Sequence, residues 1–294
     1  MAKEIIFPRS EAPKRLESFL KKRYPIGYVR KLFRKHAVRL NGMRCGAEAI
    51  ARAGDRVELF IPFEKPARPV GAEPAPRSPF EVVFEDDELL VINKPAGIAV
   101  QEGKEILRRR SLQGMLAAAY RSAGIVPILV HRIDKETSGL IVVAMRAQVA
   151  EELDKRFERG AVEKEYLVLV VGRLFPKVGA INFPLPGRDG GLVNAKTLYR
   201  VEKEFSETTL ARVKTETGRM HQIRLHFAKL GHPVVSDRQH GDFAFNKRFR
   251  KNFGLKRQFL HAATIGVDYK GKKRKWSAEL PEDLARTLRS LEAR

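Results

Sequence analysis

The side chains best placed to do chemistry lie in residues 131–140, which read His-Arg-Ile-Asp-Lys-Glu-Thr-Ser-Gly-Leu. Short apolar runs at 125–130 and 140–144 flank this polar segment, and each run predicts a buried strand. A loop held between two strands is a rigid platform for one reactive side chain. Asp134 is the only short carboxylate in the loop, so it is the candidate. The alternative is that Asp134 only pairs with Arg132 or caps the turn.

Two later side chains are further candidates. Tyr166 lies in a predicted strand, 164–170, where it could line a site or fill the core with its hydroxyl bonded, and spacing alone leaves both open. Arg224 lies at the margin of an apolar helical stripe, so its guanidinium could enter a cleft while the core covers its stem. The stripe consists of Met220, Ile223, Phe227 and Leu230, and Gly231 is predicted to end the helix.

Two histidines in the same segment raise the question of a metal site. His221 and His226 are five residues apart, which places them on different faces of a helix. Cys45 is the only cysteine, and no tight acidic cluster completes a ligand set. We therefore predict structural histidines and no metal. A single cysteine also excludes an intramolecular disulfide and fits a reducing cytoplasm.

Residues 131–140 resemble the signature loop of the RluA-type pseudouridine synthases. The match includes His131, Arg132, Asp134 and residues 137–140, all in register. The resemblance implies that Asp134 is the catalytic nucleophile. Pseudouridine formation breaks the N1–C1′ bond of a uridine, turns the uracil over and joins C5 to C1′. Nothing is lost or gained, so we expect no cofactor and no metal.

The resemblance extends to four other segments of the chain. It implies that Arg224, in the Gly-Arg-x-His-Gln-x-Arg-x-His pattern of 218–226, pairs with the catalytic aspartate and holds it ionised. It implies that Tyr166 and Leu260 hold the uracil ring. It also places Lys94, in Asn-Lys-Pro-Ala-Gly, on the cleft wall as a substrate-binding residue.

Arg132 is expected, from the same resemblance, to fill the space that the flipped base leaves, after unstacking that costs a few kcal/mol. Two positions depart from the pattern. Gln101 stands where many members carry a histidine, which leaves the role of its loop open. Met220 replaces a small hydroxyl residue, and we expect only a local change in packing.

The first 62 residues form a unit of their own in the sequence. Two predicted helices, an Asn41-Gly42 hairpin and a last strand resemble the S-four (αL-type) RNA-binding module of ribosomal proteins. Residues 10–45 contain eleven Lys or Arg and two Glu. A charged face is usually only solvated, but a face of one sign favours phosphate contact. The predicted RNA-binding cations of the second helix are Arg30, Lys31, Arg34 and Lys35.

The rest of the chain divides into a linker and a catalytic domain. Residues 63–79 contain prolines, alanines and charges without periodicity, and they predict a semi-rigid linker. Residues 80–294 are the predicted catalytic domain. Many short strands joined by tight turns favour an α+β fold with a mostly antiparallel sheet, and the resemblance implies a mixed pseudouridine synthase sheet flanked by helices.

A second basic segment lies near the end of the chain. Residues 246–257 contain six Lys or Arg, no acid and two phenylalanines, a composition that predicts a loop binding single-stranded RNA, with rings against bases. A mobile solvated loop is the alternative. The predicted RNA-binding cations here are Lys247, Arg248, Arg250 and Lys251.

Length and charge limit the class of protein. A chain of 294 residues with 43% hydrophobic and 31% charged residues fits a globular protein. No apolar run approaches the roughly 20 residues of a membrane span, and the absence of a signal-peptide core predicts a cytoplasmic protein. The net charge of +22 suits a polyanion.

The sequence therefore predicts an RNA pseudouridine synthase that acts as a monomer on RNA. Residues 242–245 and 259–263 most resemble the branch acting on large-subunit ribosomal RNA. Transfer RNA is the alternative substrate. A non-catalytic RNA-binding or ribosome-assembly factor is the alternative from another class, disfavoured because pure binding does not need Asp134, Tyr166 and Arg224 together.

Overall fold

The computed structural model describes residues 2–8, 11–24, 26–60, 78, 80–103, 106–187 and 189–293. The chain divides into two compact units, Met1–Ala75 and Pro76–Arg294. The predicted linker, residues 63–79, lies almost wholly outside the described residues.

The first unit is a small sheet with two helices. Its elements are β1 (Ala2–Ile6), β2 (Lys14–Arg15), α1 (Leu16–Leu20), α2 (Ile26–Arg34), β3 (Val38–Leu40), β4 (Met43–Arg44), β5 (Ile50–Ala51) and β6 (Arg56–Phe60). The main sheet has the order β1-β6-β3-β4. Asn41 and Gly42 join β3 to β4 with positive φ angles of 52° and 83°, which confirms the predicted hairpin. Leu16, Phe19 and Val29 are buried as the helical spacing predicts.

The second unit contains the remaining strands and helices. They are β7 (Glu81–Glu85), β8 (Leu89–Lys94), α3 (Leu112–Ala119), β9 (Ile128–Leu129), β10 (Ser138–Ala144), α4 (Ala147–Glu158), β11 (Val162–Val171), β12 (Val178–Ile181), β13 (Leu185–Pro186), β14 (Leu192–Val193), β15 (Thr197–Glu204), β16 (Thr208–Thr215), α5 (Gln222–Lys229), α6 (Phe243–Phe253), β17 (Leu260–Tyr269), β18 (Lys272–Ser277) and α7 (Glu282–Glu292). Short 3-10 helices span Arg108–Arg110 and Arg121–Ala123.

A ten-stranded sheet is the frame of the second unit. Its path is β12-β15-β16-β11-β17-β10-β8-β7, with β18 beside β17 and β9 beside β10. The β10–β17 pair is parallel and its other strand pairs are antiparallel. Helices cover apolar clusters on the sheet, so the predicted α+β class with a mixed sheet is confirmed. None of the helices among the described residues is long and apolar enough to cross a membrane.

The parallel β10–β17 pair fixes the end of the 131–140 loop. Ser138 pairs with His261 and Gly139 with Ala262. Gly139 has φ of +116°, and a Cβ there would lie 2.3 Å from the carbonyl oxygen of Ala262. Only glycine allows this backbone angle and this close approach. The loop is therefore held against the centre of the sheet.

Three predictions of local structure are wrong. Residues 125–130 are not a buried strand, because only Ile128–Leu129 pairs with β10 and Val126 is 71% exposed. Residues 246–257 are not a loop, because α6 includes most of them and buries Phe249. The stripe on α5 is narrower than predicted, because Met220 precedes the helix and is exposed.

Candidate active site

Asp134 and Arg224 meet although 90 residues separate them in the chain. Arg224 lies in α5 and is 6% exposed. Its Nη1 donates a hydrogen bond of 3.0 Å to Oδ2 of Asp134. Asp134 is about one quarter exposed, so one side of its carboxylate is open to a ligand. A bond between two charged groups is stronger than one between neutral groups, and it fixes both geometries.

A second carboxylate, Asp237, holds the other side of the arginine. Arg224 donates from Nε to Oδ2 of Asp237 at 2.7 Å and from Nη2 to Oδ1 at 2.8 Å. The backbone N–H groups of Gln239 and His240 donate to the same carboxylate at 2.9 and 3.1 Å. Asp237 is fully buried. This fork-to-fork pair fixes the plane of the guanidinium, so Nη1 is aimed at Asp134.

The pKa of Asp237 reflects these contacts. Burial alone raises it, but the Arg224 hydrogen bonds and the two backbone N–H groups outweigh burial and lower the pKa below its usual range. Sequence reasoning missed Asp237. It follows an apolar run and carries no motif spacing that we used, so only the three-dimensional contact identifies it.

We expect Asp237→Asn to destabilise the protein by about 2–3 kcal/mol at pH 7, since a buried cation loses charged hydrogen bonds. A carboxylate with a lowered folded pKa stabilises above its unfolded pKa, about 3.9. That stabilisation is lost as pH falls towards the folded value. The difference between wild type and variant in urea unfolding should therefore shrink below about pH 4. The exposed Asp268, changed to Asn, is the control, and a gap independent of pH would contradict the charged pairing.

Two histidines lie on the open side of Asp134. His221 Nε2 is 3.8 Å from Asp134 Oδ1, and His221 Nδ1 is 3.1 Å from Nε2 of His240. Burial lowers the pKa of both imidazoles, although Asp134 raises each one. His226, in contrast, bonds to Thr197 and to the carbonyl of Phe183, which is the structural role predicted for it. Within the described residues, no group of three or more His, Cys, Asp or Glu side chains could hold a metal ion.

Polar side chains at the end of the 131–140 segment bind β17 and the residues just before it. Gln258 Nε2 donates to Thr137 Oγ1 at 2.8 Å, and Ser138 Oγ is 2.9 Å from His261 Nδ1. Arg257 donates to Ser138 Oγ at 3.2 Å. These buried contacts satisfy the loop's polar groups away from water. These contacts hold the loop in place, although only Ile128–Leu129 of the predicted N-terminal strand forms.

His131 anchors the start of the loop as a neutral imidazole. Its Nε2 accepts a 2.8 Å hydrogen bond from the backbone N–H of Val142, so that nitrogen is unprotonated. Its ring stacks on Phe157 with centroids 4.7 Å apart. Burial, and then the charge of Lys164, lower the pKa of His131 to about 3. It remains neutral at physiological pH and positions the backbone that leads to Asp134.

The prediction that Lys94 binds substrate directly is wrong. Lys94 is fully buried at the end of β8. Its Nζ donates to the carbonyls of Pro95, Ile98 and Lys135 at 2.8, 2.9 and 3.2 Å. Burial lowers its pKa to about 7, but three carbonyl acceptors favour the charged ammonium. The Lys135 contact ties the Lys94 turn to the loop of Asp134, so Lys94 positions that loop.

A pocket of about 510 Å³ surrounds Asp134. Residues predicted to act together line it, namely Arg132, Asp134, Tyr166, Arg224 and Leu260, and Gln101 stands at its wall. Leu260 is 4% exposed, which suits an apolar wall. Arg132 is exposed, so its guanidinium is free to reach outwards.

Tyr166 is half-buried on β11 and faces this pocket. Burial, and then the charge of Asp134, raise its pKa, so the phenol stays protonated at neutral pH. Its ring offers a flat surface, and its hydroxyl can donate a hydrogen bond. The pocket thus brings together the accessible carboxylate of Asp134, the ring of Tyr166 and the aliphatic wall of Leu260.

The predicted RNA-binding cations lie on two helices. Arg30, Arg34 and Lys35 are exposed, the first two on α2 and Lys35 directly after it; Lys31 belongs to α2, but its side chain is outside the described part. Lys247, Arg248, Arg250 and Lys251 are exposed on α6, and Arg248 pairs with Glu207 at 2.6 Å. Phe249 and Phe245 of α6 pack in the core, so the prediction that a ring of Phe249 stacks on bases is wrong. The interleaving of cations and rings is the amphipathic pattern of a surface helix.

Comparisons with known proteins identify the family of this chain. Residues 88–229 match the family model of RNA pseudouridylate synthases. Ribosomal large subunit pseudouridine synthase C of Vibrio cholerae is 33% identical over 92% of this chain and 90% of its own length. The Escherichia coli protein of that name is 31% identical over 98% of this chain and 96% of its own length.

Solved structures show the same fold. Human RNA pseudouridylate synthase domain containing 4 is 23% identical and covers 72% of this chain and 93% of its own, with a TM-score of 0.62. Human domain containing 1 is also 23% identical, with a TM-score of 0.55 over 76% of this chain and 98% of its own. The chain belongs to the RluA-type family of RNA pseudouridine synthases.

Proposed function

We propose that this protein converts specific uridines of large-subunit ribosomal RNA to pseudouridine. The observation that carries the proposal is the Asp134–Arg224 pair, 3.0 Å long, beside Tyr166 in one pocket. The substrate class is supported by relatives named for the large ribosomal subunit, at 31–33% identity over nearly the whole chain. The net charge of +22 supports a polyanionic partner.

Asp134 is the proposed nucleophile. The N1–C1′ bond breaks, C5 joins C1′, and a proton leaves C5 while N1 gains one, so atoms balance without a co-reactant. Arg224 donates a hydrogen bond to Asp134 and orients its carboxylate. Tyr166 and Leu260 hold the uracil while it turns over, and the enclosed pocket keeps the free base from escaping. Arg132, exposed at the pocket, fills the space that the flipped base leaves.

The first unit is the proposed RNA-binding module, of the S-four type. Its hairpin and its exposed cations on α2 support this role. The exposed cations of α6 are proposed to contact phosphates as well. We propose that the protein works as a monomer in the cytoplasm without a cofactor.

Removing three charges from the module tests its contact with RNA. We expect the triple change of Arg30, Arg34 and Lys35 to Gln to weaken RNA binding. The slope of log affinity against log salt should become shallower by about 2–3, since each lost phosphate contact removes about 0.7–0.9. Conversion at saturating RNA should be unchanged, because none of the three side chains lines the pocket.

A matched control removes the same net charge elsewhere. The control cations are Lys203, Arg286 and Arg289 of the second unit. They pair with glutamates at 2.8, 3.7 and 2.7 Å, as Arg30 of the first unit does with Glu17 at 3.5 Å. Changing these three to Gln should leave the salt slope nearly as in the wild type. An equal loss of slope in both variants would mean that only total charge matters, and that the module has no local contact.

The function itself is tested by mapping pseudouridines at nucleotide resolution in cells with and without the gene. We expect one or more positions of large-subunit ribosomal RNA to lose pseudouridine, and a plasmid copy to restore them. A plasmid encoding Asp134→Asn should not restore them. If pseudouridine were lost only from transfer RNA, the substrate would be transfer RNA and the chemistry would be the same. If no pseudouridine were lost from either RNA, the proposal would be contradicted.

A further inference from the structure

Lys164 is a buried cation in the pocket for which the mechanism above has no use. It lies on β11, two residues before Tyr166, and is only 8% exposed. Its side chain lines the same pocket as Asp134. Burial lowers the pKa of Lys164. The folded protein therefore stabilises the charged ammonium less than water does.

The ammonium of Lys164 makes no hydrogen bond or ion pair within the described part of the chain. The ring of Phe157 is 5.9 Å away, at the outer limit of a cation–π contact. Lys94 shows what a satisfied buried lysine looks like in this protein, with its three carbonyl acceptors. Lys164 Nζ is not one of the fully buried, unpartnered side-chain atoms of the described residues, so the ammonium can be reached from the pocket. Lys164 therefore has donors to offer to a ligand.

None of the three acids that line the pocket forms an ion pair with Lys164. Asp134 bonds to Arg224, Glu216 pairs with Lys196 at 2.9 Å, and Glu158 is exposed. No carboxylate contributes to the pKa of Lys164, for which burial is the cause. The pocket thus has a carboxylate end, at Asp134, and an unneutralised cationic end, at Lys164. An anionic group of a ligand is favoured at the second end and repelled at the first.

The spacing on the strand indicates which group this is. Lys164 and Tyr166 both face the pocket, and residues two apart on a strand are separated by about 7 Å. A base that rests on Tyr166 brings its own sugar and backbone within that distance. Gly218 leaves room beside the ammonium, since a Cβ there would still be 3.9 Å from Nζ. A phosphate neutralises the charge of the ammonium, which a uracil carbonyl does not.

We propose that Lys164 binds a backbone phosphate next to the target uridine. This inference rests on the proposed function and adds the contact that draws the flipped nucleotide into the pocket. The hydrogen bond between the ammonium and the phosphate compensates for the cost of removing both groups from water. It forms only when the nucleotide has flipped, so it favours the flipped state. Stacked RNA does not make this contact.

The test combines Lys164 variants with RNA that is neutral at one phosphate. The RNA is a short oligonucleotide around a uridine that the wild type converts, and dissociation constants are measured separately from conversion. Lys164→Met should bind the unmodified RNA about 10- to 100-fold more weakly, because a charged hydrogen bond is lost. Lys164→Arg keeps the charge and should retain most of the affinity. Conversion by the wild type checks the proposed function independently of either variant.

Replacing single phosphates by methylphosphonate identifies the contact. At one phosphate beside the target, the neutral linkage should weaken wild-type binding and leave Lys164→Met unaffected. If each neutral linkage weakened binding by Lys164→Met as much as it weakens binding by the wild type, the proposal would be overturned. The proposal would also be overturned if the affinity difference between the wild type and Lys164→Met disappeared only when a uracil carbonyl oxygen of the RNA was replaced. The acceptor of the Lys164 hydrogen bond would then be the base. Lys164→Met should melt no lower than the wild type, since it removes a largely desolvated charge that no carboxylate pairs. A clear drop in melting temperature would give Lys164 a structural partner and overturn the proposal.

Discussion

Asp134→Asn is expected to lower the rate of isomerisation by about a thousandfold or more while the protein stays folded and bound to RNA. The amide keeps the shape of the side chain and can accept the bond from Arg224 Nη1, which is 3.0 Å long in the wild type. It loses the negative charge and with it the nucleophile. Single-turnover conversion at saturating enzyme measures the rate, and a filter or fluorescence assay measures the affinity.

Glu136→Gln is the matched control for Asp134→Asn. It makes the same chemical change two residues away in the same loop, outside the pocket lining. The backbone carbonyl of Glu136 accepts a hydrogen bond from Arg257, and the substitution leaves that carbonyl in place. Its rate should be near that of the wild type. If Asp134→Asn converted uridine at a rate comparable with that of Glu136→Gln, Asp134 would not be the nucleophile.

Arg224→Met is expected to lower the rate with bound RNA by about a hundredfold or more and to change RNA affinity little. The change leaves Asp134 without the donor that orients it. It also leaves Asp237 buried without its cation, so a stability loss of about 3–5 kcal/mol is expected and unfolding must be measured beside the rate. Arg224→Lys keeps the charge, but it cannot bond both carboxylates in a fixed plane, and an intermediate rate is expected.

Arg219→Met separates this role from general attraction of RNA. Arg219 lines the same pocket but is exposed, and its guanidinium donates to the carbonyl of Asn194 at 3.2 Å. An exposed arginine that attracts phosphates should affect affinity and its salt dependence more than the bound rate. If Arg224→Met instead weakened binding and left the bound rate intact, Arg224 would belong to the RNA-backbone surface.

The sequence correctly predicted the parts of the site that lie within continuous segments of the chain. The 131–140 loop and the 218–226 segment have enough ordered polar residues to be recognised, and Gly139 marks the tight approach to β17. The strand at 140–144 followed from its apolar run, and the hairpin at Asn41-Gly42 followed from its turn residues. These features are local, so the sequence alone was sufficient for them.

The parts that failed depend on contacts between distant segments. Asp237 acquires its role only because α5 places Arg224 beside it, and no spacing rule links the two residues. Lys94 was predicted to line the cleft, but its acceptors are backbone carbonyls. Every residue carries a backbone carbonyl, so the sequence does not show which ones a lysine will contact. In α6, the rings of Phe245 and Phe249 pack inwards, so a helix was mistaken for a loop of cations and rings.

The most direct test is conversion of large-subunit ribosomal RNA transcribed without modifications. The purified full-length protein is added, and pseudouridines are mapped at nucleotide resolution, with Asp134→Asn and transcribed transfer RNA in parallel. We expect one or a few uridines of the ribosomal RNA to be converted fully by the wild type and not detectably by Asp134→Asn. Absence of conversion in ribosomal RNA, or equal conversion by Asp134→Asn, would contradict the account.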